Sequence, residues 1–157
     1  MAILSYYLIH EGAHLIYALR LGVFKKVNFI GLGVQIDVFA EQMTENQLGI
    51  FCIVGSVATM ITAYVLIAFV DKIGQVSSKV FKASMYYITI AMLLIDPLYL
   101  SILCGFFGGG DMNGISLLIP EEVARILYGI ILLINITVFV KIVLPKYKQA
   151  FLNMREE

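Results

Sequence analysis

The chain has 157 residues, of which 61% are hydrophobic and only 14% charged, and its 11 basic residues balance 11 acidic ones. Soluble domains average about 45–50% apolar and about 25% charged residues, and the mean hydropathy of +0.92 lies well to the apolar side. Composition thus excludes an ordinary water-soluble domain, and the balanced charge excludes nucleic acid as a partner. The expected fold class is an all-α integral membrane protein in the lipid bilayer, a single domain over 1–157.

A spanning helix needs roughly 20 apolar residues. Four stretches qualify, at about 2–24, 47–70, 84–106 and 121–145, the last ending at Pro145. No polar interval between them is long enough for a soluble domain. The first stretch has no basic segment ahead of its apolar run, so it is expected to remain as a membrane helix rather than act as a cleaved signal.

That first stretch carries His10, Glu11 and His14, spelling H-E-x-x-H, and these are the only two histidines of the chain. Residues four apart share a helix face, so both imidazoles can address one metal ion. Glu11 lies one position round, within reach of a water proton. Polar groups at this depth are costly unless they line a cavity or bind something. Tyr6, Tyr7 and Tyr17 nearby read as interfacial or packing tyrosines. Tyr17, on the His14 face, is also a candidate donor to an oxyanion, and Arg20 is expected to snorkel to the surface.

Between the first two helices, Val34-Gln35-Ile36-Asp37-Val38 alternates strictly and follows Val27-Asn28-Phe29-Ile30 across Gly31-Leu32-Gly33. This predicts a β-hairpin over about 27–39 at the membrane surface. One of its edges is free to pair with an extended peptide.

The second helix places Gly55, Thr59 and Ala63 at four-residue spacing, a row that lets another helix approach closely. The loop Asp71–Lys82 follows. With four spans, this loop and both termini share one side, which holds Lys72, Lys79, Lys82, Lys141, Lys146, Lys148 and Arg155. The other side holds Arg20, Lys25, Lys26 and Arg125. The excess of basic residues places both termini in the cytoplasm.

The third stretch contains Asp96, followed by Pro97, which removes a backbone donor. Asp96 lies about as deep as the histidines, roughly 12–18 Å from one face at 1.5 Å per residue. Asp111 follows Gly108-Gly109-Gly110 and precedes Met112-Asn113-Gly114. Irregular backbone at membrane depth is tolerated where it lines a cavity, so a glycine segment that turns back into the bilayer brings Asp111 to the histidines. A catalytic zinc takes three protein ligands and leaves one position open. The residues alone leave that third ligand open between Asp96 and Asp111. Cys52 and Cys104 read as buried thiols, not a zinc pair.

The chain resembles the site-2 protease family of intramembrane zinc metalloproteases over about residues 1–120. Three features carry the resemblance: H-E-G-A-H at 10–14 in a membrane helix, a surface hairpin after it, and a later helix with Asp followed closely by Gly. In that family the later helix reads N-P, then an apolar stretch, then D-G, whose Asp is the third zinc ligand. Here Asp96-Pro97 stands at N-P and Asp111-Met112-Asn113-Gly114 at D-G, with Asp in place of Asn and two residues splitting D-G. Gly55-Ser56-Val57-Ala58-Thr59 resembles the family's G-P-x-x-N. The resemblance implies Zn2+ held by His10, His14 and Asp111, with Asp96 as the alternative third ligand. Asp96, Pro97, Asn113 and Thr59 then become contacts to the substrate or to the ligands.

The expected function is zinc-dependent endopeptidase activity on a membrane-protein substrate helix, with Glu11 as catalytic base. Since no soluble domain selects substrates, a regulatory partner or a homo-oligomer is expected to do so. Two other classes stay open: a non-catalytic metal-binding partner or chaperone, and a proton or ion pathway through His10, Glu11, His14 and Asp96. A base between the two histidines favours hydrolysis over both.

Overall fold

The computed structural model describes residues 1–30 and 33–153. It is mostly helical, with one two-stranded antiparallel sheet. Gly31 and Leu32 of the expected turn, and Arg155 of the basic side, lie outside the described residues.

Helix α1 spans Ala2–Leu21 and ends earlier than expected. Gly22, at φ 71°, adopts the left-handed conformation that stops a helix, and the Val23 amide returns to the Ala18 carbonyl. The chain is thereby free to begin β1 (Phe24–Ile30) at once, and β1 pairs with β2 (Gly33–Val38). The register runs from Phe24 opposite Val38 to Ile30 opposite Gly33, with an irregularity between Phe24 and Lys26. The hairpin thus starts three residues before the expected position.

Helix α2 (Glu45–Ala68) starts two residues early because Thr44 and Gln47 form a reciprocal capping box. A short helix α3 (Val70–Gly74) occupies the expected loop. Helix α4 (Lys79–Leu98) starts at Ser78, whose hydroxyl caps the Phe81 amide, five residues ahead of the apolar run.

Pro97 does not end α4. Its missing N–H leaves the Leu93 carbonyl without a helical donor, and Asn135 Nδ2 supplies one at 2.7 Å. A π-helical turn, Tyr99–Leu103, then continues the helix into α5 (Cys104–Phe107). Arg125 Nε holds that turn through the Ser101 carbonyl at 3.2 Å. Gly108 and Gly110, both at positive φ, fold the chain back into α6 (Asp111–Ile115).

Helix α7 (Glu121–Val138) runs through a second π-helical turn, Phe139–Val143, into α8 (Leu144–Leu152). The expected stop at Pro145 is therefore overturned. Proline at the first turn of α8 follows the widened π turn, where its absent N–H is tolerated.

Among the described residues, three helical rods are long and apolar enough to cross a membrane: Glu45–Ala68, Lys79–Phe106 and Glu121–Leu152. Helix α1 is not among them, because His10, Glu11, His14 and Arg20 dilute its hydropathy. Large apolar side chains cover the outside, and polar ones lie among the apolar core clusters. Leu8, Ile16 and Leu133 face outward, while His10, His14, Ser56, Thr59, Asp96 and Asn135 are buried. Hydrogen bonds tie the rods together: a buried one between Ser56 Oγ and Tyr128 OH at 2.7 Å, and a half-buried one from Tyr64 OH to Asn135 Oδ1 at 2.8 Å.

Candidate metal centre

Helical spacing puts His10 and His14 on the face of α1 that meets α2, and both are buried. Their Nε2 atoms lie 3.1 Å apart. The backbone of α2 can pass this close only because residue 55 is glycine. A Cβ there would fall 2.5 Å from His14 Nε2 and 2.7 Å from His10 Nε2. The Gly55–Thr59–Ala63 row was expected to serve plain helix packing, yet its first member makes room for the imidazoles. Phe51, one turn earlier, packs its ring 4.7 Å from that of His14.

Asp111 arrives from the opposite side at the start of α6. Its Oδ2 lies 3.1 Å from His10 Nε2 and 3.5 Å from His14 Nε2. His10, His14 and Asp111 form a group that could hold a metal ion. A tetrahedral ion with bonds of about 2.0–2.1 Å keeps its ligand atoms about 3.3–3.4 Å apart. The three separations bracket that value, so the residues fit the ion.

Asp96 is not part of this triangle. Its carboxylate sits behind His10, with Oδ1 at 3.1 Å and Oδ2 at 3.3 Å from Nδ1. The alternative third ligand is thus on the far edge of the ring. Tyr6 donates to Asp96 Oδ1 at 2.5 Å, and Thr59 Oγ1 donates to Oδ2. Tyr6 was expected to be interfacial or to pack; only its hydrogen-bonding partner reveals its place.

Glu11 points toward the hairpin, where its Oε2 accepts the Ile36 amide at 3.0 Å. A cavity of about 540 Å³ joins these groups. The histidines, Glu11, Asp96 and Asp111 line its polar side, Gly33–Ile36 one wall, and Ile95, Leu98, Tyr99 and Leu103 another. Tyr99 also donates to the Gly108 carbonyl at 2.9 Å, bracing the glycine segment that delivers Asp111.

Pro97 is buried and acts through the backbone rather than in the cavity. Asn113 is exposed and lies over Gly109, outside the cavity lining. Tyr17 packs against the apolar core cluster instead of lining the cavity.

Sequence reasoning missed the hydroxyl partner of Tyr6, the steric role of Gly55 and the Ile36 amide. Tyr6, four residues before His10, and Gly55, four before Thr59, each had a signal in helical spacing. Comparison with protein-family models, curated proteins and solved structures gives no match.

Proposed function

We propose that the protein is an intramembrane zinc endopeptidase, similar in its chemistry to the site-2 proteases. The observation that carries this reading is the triangle of His10 Nε2, His14 Nε2 and Asp111 Oδ2, with edges of 3.1, 3.1 and 3.5 Å. Two histidines, a carboxylate and an open cavity suit zinc. A zinc ion there supplies Lewis acidity, polarising a peptide carbonyl and making water easier to deprotonate. Glu11, with Oε2 held by Ile36, takes the proton on Oε1 and hands it to the departing amine. The β2 edge offers backbone groups to a substrate segment that has unwound from its helix, and the apolar wall at Ile95, Leu98 and Leu103 receives its side chains.

In this reading α1 is a fourth span. Its outward Leu4, Leu8 and Ile16 continue the apolar surface of the other rods. The ends bearing Asp71 and Lys146, joined at 2.6 Å, face the cytoplasm with both termini.

A second reading has one observation in its favour. His10 lies between two carboxylates, and a proton on each nitrogen would satisfy both, as in a proton pathway. The experiment that separates the readings reconstitutes the protein in vesicles with a membrane-spanning model peptide. Zinc-dependent cleavage, abolished in Glu11→Gln, supports the protease. Zinc without cleavage points to a non-catalytic metal protein, and proton flux without zinc points to a pathway.

A further inference from the structure

We propose that Asp96, together with Tyr6 and Thr59, is the positioning unit that fixes His10 as a metal ligand through Nε2. The inference deepens the metal-centre reading and rests on it.

Asp96 is 2% exposed. Three groups converge on its carboxylate: Tyr6 OH from α1 and Thr59 Oγ1 from α2 donate to it, and His10 Nδ1 of α1 lies 3.1 Å away. A carboxylate offers about four acceptor sites over its two oxygens. An amide in its place would offer a single acceptor oxygen to these groups.

The consequence falls on the imidazole. His10 Nε2 faces Asp111 Oδ2 and the His14 nitrogen, each 3.1 Å away, while Nδ1 faces Asp96. A ring that ligates a metal through Nε2 carries its proton on Nδ1, where the Asp96 carboxylate would accept it. Carboxylate–histidine pairs of this kind orient metal-bound histidines in general. His14 differs, since its Nδ1 is buried without a hydrogen-bond partner among the described residues. The ring angle of His10 is held by polar groups at both of its edges, while that of His14 rests on packing against Phe51. Asp96 thus acts through His10.

The test measures zinc affinity of the full chain in detergent by chelator competition, with the visible spectrum of the cobalt-substituted protein beside it. The variants are Asp96→Ala, Tyr6→Phe and Thr59→Val, with Asp111→Ala as the loss of a true ligand. Asp96→Ala is expected to retain one metal per chain and a four-coordinate cobalt spectrum, shifted in position, with affinity lowered about 10–100-fold. Tyr6→Phe and Thr59→Val are expected to lower affinity severalfold in the same direction. Loss of metal in Asp96→Ala as complete as in Asp111→Ala would make Asp96 a ligand and overturn the proposal. So would affinity and spectrum unchanged from wild type. If Asp96→Ala does not fold, the two near-isosteric variants decide, and wild-type affinity in both overturns it. Wild type that binds zinc but cleaves no peptide removes the endopeptidase and leaves this role of Asp96 standing. Wild type that binds no zinc overturns both.

Discussion

The backbone amide of Ile36 donates to Glu11 Oε2 across 3.0 Å, joining the β1–β2 hairpin to the residue between the two histidines. Ile36 spends this N–H on α1, so the β2 edge and Glu11 are one structural unit. A proline at 36 removes the donor. Ile36→Pro is expected to lower peptide cleavage about tenfold or more, a fraction of the roughly 10²–10⁴-fold carried by a general base. Bound zinc is expected to stay at the wild-type level. Ile36→Val, which keeps the amide, is the control, and initial cleavage rates in vesicles provide the measurement.

Gly55 gives a steric prediction. A methyl group at this position enters the space of both Nε2 atoms. Gly55→Ala is expected to lose bound metal and to be destabilised by about 1–3 kcal/mol, the usual cost of overpacking. Ala63→Gly, two turns along the same row, should leave metal content unchanged. Metal analysis and unfolding in detergent test both.

Asn135 and Pro97 give a coupled prediction. Asn135 bonds the Leu93 carbonyl that Pro97 leaves free, and also accepts from Tyr64. Asn135→Leu is expected to cost about 1–3 kcal/mol through unpaired buried groups. In a Pro97→Ala background the residue 97 amide can bond Leu93 itself, so the same substitution should cost less. A double-mutant cycle on unfolding free energy measures the difference.

Much of the centre was legible in the sequence because helical geometry is periodic. His10 and His14 four apart had to share a face, and Glu11 had to lie beside them. The equal depth of Asp96 and the histidines was legible as well. Which edge of the His10 ring Asp96 meets was not, since hydropathy gives depth but not the angle about a helix axis. Tyr6 does pack in a buried cluster, as one of its two readings has it, but the partner of its hydroxyl on α4 was not legible for the same reason. The Ile36 amide has no side-chain signature at all. Helix ends were missed where backbone chemistry outweighed hydropathy, as at Gly22, Ser78 and Pro145.

Metal binding also predicts a stability change. A ligand that binds only the folded state stabilises it by about 2.7 kcal/mol at a hundred times its Kd. Zinc is therefore expected to raise the unfolding midpoint of wild type and of Glu11→Gln, and chelation to lower it. His14→Ala should show no zinc-dependent shift. Thermal unfolding in detergent, with and without zinc, tests this.

Bound zinc per purified chain, for wild type, His10→Ala, Asp111→Asn and Glu11→Gln, tests the central claim most directly. The account predicts about one zinc in wild type and Glu11→Gln, and none in His10→Ala or Asp111→Asn. Wild type without zinc after metal reconstitution, or zinc that survives Asp111→Asn, would contradict it.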